Sequence, residues 1–243
     1  MPAPSHISVI LEMLRIELRS DAAPGAIIPA SALIDASGLA PSSITGLLRA
    51  ASRQGLVEWT ARHGACLTDS GRTQAMRQLR RHRLVETYLE IALGLDWSDV
   101  HDEALRIDAA VSDRVIERMD EVLGHPISDP HGDPIPDRDG RMPGPHRACC
   151  AAAVHPDLAM APASGPLTRF LAGQTVVIAH VVGHDQAYLR LLGRHGIRPG
   201  AVARIVVNDA IGGTVTIVSS GSEPLTLGQA AAMQVHADAR PST

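Results

Sequence analysis

The spacing of apolar residues changes once along this chain, and the change limits which folds are open to it. From Ile7 to about Leu93 they recur at the three- and four-residue intervals of helices packed by one face. From Leu167 they gather into short β-branched runs over Thr175–Val182, Val202–Asn208 and Thr214–Ser219, broken by a helical piece at Asp185–Leu192. Between them, residues 137–166 are rich in Pro, Gly and Ala, the composition of a linker. Helices first and strands later predict an α+β chain of segregated parts, the last a small β-barrel of the SH3-like kind.

The helical part carries its own punctuation. Ile10, Leu11, Leu14 and Leu18 place one apolar face on a helix over Ile7–Arg19, which ends in the stretch Asp21–Gly25. A short helix follows from Pro29, closed by Gly38, and a second opens at Pro41 and runs towards Gly55. Two short helices across a tight turn are the geometry in which the second enters a DNA major groove. Ser42, Ser43 and Thr45 put hydroxyls near the N-terminus of that second helix, while Arg49 and Arg53, one turn apart, suit the phosphate backbone. Two strand-like runs around Arg62-His63-Gly64 then predict a hairpin wing with Arg62 at its tip. Thr68 to Arg72 caps a long helix reaching about Leu93.

Composition narrows the function classes. Only 2% of residues are aromatic, too few to stack unpaired bases, so single-stranded nucleic acid is an unsuitable target. Up to Tyr88 there are ten Arg against seven acids; from Leu89 onward there are twelve Arg against nineteen. The mildly basic front fits an element that meets phosphates. Cys66, Cys149 and Cys150 fit neither a disulfide framework nor a four-cysteine zinc site. With no signal-like start and no apolar run long enough to span a bilayer, a cytoplasmic protein is expected.

Most of the chemically capable side chains cluster between Arg81 and Pro136. His82 and Glu86 stand one helical turn apart, so an imidazole and a carboxylate share a face. Residues 101, 105 and 108 share another face of a helix beginning near Ser98, giving His101 and Asp108 with Leu105 between them. The run His125–Pro136 holds His131 and Asp133 among four prolines and reads as a rigid connector rather than a metal loop. Cys149 and Cys150 with His146 and His155 read as incidental, and His180, His184 and His195 as surface or barrel residues. A metal hydrolase built on the His and carboxylate cluster lacks a recognisable base, nucleophile or oxyanion donor, so no enzyme is expected.

Several motifs in one order, Gly55-Leu-Val57, Thr68-Asp-Ser-Gly71, Arg81-His-Arg-Leu-Val-Glu86, Gly94-Leu-Asp-Trp97, Val100-His-Asp-Glu-Ala104, Val111-Ser-Asp113 and Gly124–Pro136, resemble the diphtheria toxin repressor family of metal-dependent regulators. The resemblance covers roughly Ile10 to Pro136, with a tail like the family's FeoA-type domain. It implies an N-terminal winged helix-turn-helix over 1–73, a helical metal-binding and dimerisation domain over 74–136, the linker, and an SH3-like β-barrel over 167–243. It further implies a homodimer that binds palindromic double-stranded operators and represses metal-homeostasis genes when Fe(II) or Mn(II) is present.

Carried over residue by residue, the resemblance implies an ancillary metal site of His82, Glu86 and His101. The primary site is degraded: its Cys-or-Glu and Glu-His positions hold Leu105, Asp108 and Ala109, and only Asp108 can still donate. Met13 and Val9 compete for the first-helix ligand. Asp185 or Gln186 stands where the last domain lends ligands. Nitrogen and oxygen donors without thiolate suit Mn(II) or Fe(II), with Co(II), Ni(II) or Zn(II) able to compete in vitro. The alternative is a hydrogen-bonded cluster in a family member that binds DNA constitutively or answers another ligand.

Overall fold

The computed structural model describes residues 5–20, 23–60, 63–143 and 164–240. Its contacts divide the chain into two compact units: Met1–Val85 with Leu105–Asp120 and Ile135–Pro143, and Glu86–Ala104 with Glu121–Pro134 and Gly144–Thr243.

The first unit opens with α1 (His6–Arg19), capped by a reciprocal pair in which Ser5 and Ser8 bond each other's backbone. Then come α2 (Ala30–Ser37) and α3 (Pro41–Arg53), with the hairpin β1 (Val57–Thr60) and β2 (Gly64–Leu67) behind them. Gly38 ends α2 in the left-handed region, which leaves only Leu39 and Ala40 before Pro41 starts α3. The winged helix-turn-helix expected from the spacing is therefore present, and one apolar cluster containing Ile10, Leu14, Leu33, Ile44 and Leu48 holds it together. The predicted wing-tip residue Arg62 lies outside the described residues. Glu17, buried on α1, accepts from the Gly25 backbone and from Arg72, so a charge inside the unit is matched by a partner.

The long helix α4 (Asp69–Ile91) begins directly after the wing. Thr68 Oγ1 accepts from the Gly71 amide at 3.0 Å and donates to the Gly55 carbonyl at 2.7 Å, so one hydroxyl both starts the helix and ties it to the end of α3. Gly71 lies so close to the Leu56 carbonyl that a Cβ there would overlap it well inside van der Waals contact. This explains glycine in the Thr68-Asp-Ser-Gly71 motif: α4 approaches the strand backbone more tightly than any side chain allows. The shorter helix α6 (Asp113–Val122) completes this part of the chain, its last residues falling in the second unit.

In the second unit, α5 (Val100–Ile107) starts two residues later than expected. Ser98 does not cap it; its amide and hydroxyl both donate to Asp96 Oδ1, at 2.9 and 2.6 Å. An antiparallel sheet of order β3-β8-β4-β5-β6-β7 comprises Ser164–Pro166, Val235–Ala239, Thr175–Val181, Val202–Asp209, Thr214–Ser219 and Leu225–Gly228. Alternate residues of these strands, with α7 (Gln186–Arg194), enclose a core of Phe170, Ile178, Leu189, Ile205 and Ile217. Sequence reading found β4, β5, β6 and α7 but not β3, β7, β8 or the short α8 (Gln229–Ala232).

Trp97 joins this same core at 1% exposure. Gly193 makes room for it, since a Cβ on that residue would come within 2.9 Å of the indole nitrogen. Gly71→Ala should destabilise the first unit by about 1–3 kcal/mol, the usual range for overpacking. Thermal unfolding followed by circular dichroism checks this, and an unchanged midpoint contradicts the close approach.

Candidate metal centre

The centre is assembled from the C-terminal turns of α4, the start of α5, the connector before Pro134 and the residues between β4 and α7. His82 and Glu86 stand one turn apart on α4, both 1% exposed. Glu86 Oε1 lies 2.7 Å from His101 Nδ1. A carboxylate accepts, so His101 donates from Nδ1 and its lone pair sits on Nε2. His82 is oriented the same way by Asp108, whose Oδ2 is 2.9 Å from His82 Nδ1 and also receives Gln78 Nε2 at 3.3 Å. Asp108 follows the end of α5 and is 5% exposed. In this position its carboxylate fixes the orientation of the His82 ring.

The connector does more than the sequence reading allowed. Asp129 Oδ1 accepts from the amides of His131 and Asp133, at 2.9 and 3.0 Å, and folds the Asp-Pro-His-Gly-Asp segment into a tight turn. Gly132 takes a φ of +87°, and a Cβ on it would clash with the Ala179 carbonyl and His180, so the turn can press against β4 only with glycine there. The His131 carbonyl receives the Val181 amide at 2.9 Å. His131 itself is fully buried, and its Nε2 is 2.9 Å from the Trp97 carbonyl. That carbonyl can only accept, so Nε2 carries the proton and Nδ1 carries the lone pair. Among the described residues Nδ1 has no hydrogen-bond partner.

His131 belongs to a set. Ligand atoms of Glu86, His131 and His184 all lie within 4.8 Å of one another. The His184 ring stacks on His101 at 3.7 Å between centroids and meets His131 edge-on at 5.2 Å. Sequence reading gives His131 to a rigid connector and His184 to the surface or barrel; the structure brings both near Glu86, His131 fully buried and His184 partly so. The sequence signal was present in the histidine inside a proline-rich turn, but only the close approach of Gly132 to β4 brings it to Glu86.

The other expected donors occupy different places. Met13 is fully buried in the apolar cluster of the first unit, beside Val9. Asp185 caps α7, accepting from the Tyr188 amide at 2.7 Å, and Gln186 Nε2 donates to Asp102 Oδ2 at 3.0 Å. Ala109 is exposed, beyond the end of α5. Cys149, Cys150, His146 and His155 lie outside the described residues.

The charges around the centre are shifted in a consistent way. Burial pushes the Glu90 carboxyl, one turn beyond Glu86, above the ordinary carboxylate value; Arg198 and His131 pull it back and Asp96 raises it. Asp96 is held low, first by the Ser98 hydroxyl, against some desolvation, and then by the Ser98 amide and Arg198. An orphaned buried imidazole nitrogen beside a carboxylate and a second imidazole fits a divalent ion, and the nitrogen and oxygen donors without thiolate fit Fe(II) or Mn(II).

Residues 68–137 match the family described as iron dependent repressor, metal binding and dimerisation domain, and residues 165–238 match the FeoA domain. The iron-dependent repressor IdeR of Mycobacterium tuberculosis is 34% identical over 178 residues, covering 72% of this chain and 73% of that protein. The diphtheria toxin repressor of Corynebacterium glutamicum is 31% identical over 170 residues, 70% of each. A solved manganese-dependent transcriptional repressor in complex with manganese superposes with a TM-score of 0.75 at 30% identity, over 95% of this chain and all of that one. No described helix is long and apolar enough to cross a membrane. By relatives of this identity and coverage, and by both of its matched domains, the chain belongs to the diphtheria toxin repressor family of metal-dependent transcriptional repressors.

Proposed function

We propose that this chain is a cytoplasmic homodimer that binds palindromic operator DNA when Fe(II) or Mn(II) is bound, and so represses genes of metal homeostasis. The observation that carries the metal half is His131: a buried imidazole in one set with Glu86 and His184, whose proton is committed to the Trp97 carbonyl and whose Nδ1 has no partner among the described residues. Glu86, His131 and His184 hold the ion, with His101 and His82 as the further donors implied by the family pattern. Asp108 orients His82. Met13, Asp185 and Gln186 are not assigned as ligands. When bound, the ion supplies a positive charge that links donors from α4, the connector and the β4–α7 junction.

The chain's own residues do the rest. Glu86 and His82 report to the DNA reader through α4, because that helix begins directly after the wing. Two states of the donor residues, ordered with metal and looser without it, become a difference in operator affinity only through such a shared element. On the reader, Ser42, Ser43, Arg49 and Arg53 are exposed along α3, suited to phosphates and base edges. Arg49 already lies 5.7 Å from the centroid of the Trp59 ring on β1, which limits its conformers before DNA arrives. Thr45 donates its hydroxyl to the Pro41 carbonyl at 2.9 Å and is the least available of the set. Arg62, which the sequence places at the tip of the wing, completes the proposed contacts.

Leu105 and Ala109 favour a second reading, a repressor that no longer senses metal. Operator titrations at fixed salt separate the two. Mn(II) or Fe(II) should tighten binding by at least about fivefold, the lower end of typical coupling between sites; identical curves with and without metal establish the second reading. His131→Ala should weaken Mn(II) binding by at least about tenfold, since losing even an outer-sphere partner costs that much. His195→Ala, whose Nδ1 lies 2.9 Å from the Glu223 carbonyl, should leave it unchanged. Arg53→Ala should weaken binding to all sequences and flatten the salt dependence by about one unit, and an unaltered slope removes that phosphate contact.

A further inference from the structure

A cavity of about 510 Å³ lies wholly in the first unit, and neither the metal centre nor the DNA-reading face of α3 uses it. It opens between Ile7 on the first turn of α1, residues 74–81 of α4, the first turns of α6 and Arg138. Its volume is that of ordinary small-ligand sites. Four guanidiniums line it, Arg77, Arg80, Arg81 and Arg138, against the two carboxylates Asp113 and Glu117, with Ile7 and Ile116 as apolar wall.

The pairing of these charges is uneven. Arg80 is 8% exposed; its Nη2 meets Asp120 at 3.0 Å and its Nη1 donates to the Pro136 carbonyl at 3.1 Å. Among the described residues its Nε has no acceptor. A buried donor left unmatched costs about 1–3 kcal/mol. Arg77 and Arg81 converge on one carboxylate, Asp113, with Arg77 Nη2 at 3.3 Å and Arg81 in closer contact. Arg81 is also fixed through the Val111 carbonyl. Asp113 is 68% exposed at its side chain, so a single solvent-facing carboxylate occupies the position between two guanidiniums. Arg138 Nε holds Glu117 at 2.5 Å, and Glu117 Oε2 also lies 3.7 Å from Arg80 Nη2.

We propose that this cavity binds a small, multiply charged oxyanion, an inorganic phosphate or a polycarboxylate, which displaces Asp113 from Arg77 and Arg81. Guanidinium pairs recognise both chemistries through the same bidentate fork. The carboxylate of Asp113 acts as an internal placeholder, keeping the arginines preorganised and setting a threshold that a ligand of higher charge exceeds. The proposal is independent of the metal reading, because none of its residues is a proposed metal donor.

Thermal shift and calorimetric titration of the metal-free full chain, with inorganic phosphate and citrate in separate arms and chloride at matched ionic strength as control, test it. Either oxyanion should raise the unfolding midpoint progressively with concentration while chloride does not, and the arm that responds identifies the ligand class. The R77Q/R81Q double variant should lose the response. D113N, which keeps the fold's other contacts, should bind about fivefold more tightly, the factor for removing one like charge at surface screening. No response beyond chloride, a response that survives R77Q/R81Q, or an unchanged affinity in D113N each overturns the proposal.

Discussion

The bond from His131 to the Trp97 carbonyl decides what the metal centre can do. A buried imidazole with two equivalent tautomers offers no defined donor; one whose Nε2–H is committed to a backbone acceptor offers Nδ1 alone. The carbonyl stays in place because the Trp97 indole is sunk in the sheet core, where Gly193 leaves room for it. Apolar burial of about 150–250 Å² for such a side chain is worth several kcal/mol, far more than the net 1 kcal/mol or so of the hydrogen bond it positions. The hydrophobic core thus sets the protonation pattern of a polar site, and the hydrogen bond transmits that setting.

Polar contacts around Trp97 fix register rather than stability. Asp96, Asp99 and Asp102 recur every three residues and meet Arg198 at 3.4 Å, Arg190 at 2.6 Å and Gln186 at 3.0 Å. Exposed pairs of this kind contribute at most about 1 kcal/mol each. Their value lies in choosing one way for the α4–α5 segment to lie on α7, because a shift by one residue would leave all three acids without their partners. Arg198 also lies over the Trp97 ring at 5.1 Å, so one guanidinium serves both the acidic stripe and the buried indole.

The reader and the long helix were legible because their signals are local. The Pro41 start, the Gly38 stop and the Thr68 cap each act within four residues, and α2, α3, β1, β2 and α4 fall close to the expected bounds. Three strands escaped notice for a physical reason. Ser164–Pro166 has no β-branched residue, Leu225–Gly228 has one, and Val235–Ala239 has only its first, so these segments pair by their place on the sheet rather than by propensity. The nearness of His131 and His184 to Glu86 was illegible for a related reason: it depends on a loop meeting a strand, which leaves no periodic trace. Asp108 was found by its spacing, yet spacing could not distinguish a donor to metal from a carboxylate that holds His82.

Glu86 is the most constrained residue of the centre, because it must serve two partners. It receives the His101 proton and also supplies an oxygen to the set containing His131 and His184. With neutral imidazoles, one carboxylate leaves a divalent ion with a net positive charge in a buried place, and such charge is expensive unless nearby groups answer it. Glu90, one turn further along α4, is suited to that task. Burial disfavours its charged form, while the Arg198 guanidinium favours it. A cation beside His131 acts in the same direction as Arg198, so binding the ion and ionising Glu90 reinforce each other. The cost that burial places on the Glu90 carboxylate is therefore offset further when a cation stands beside His131.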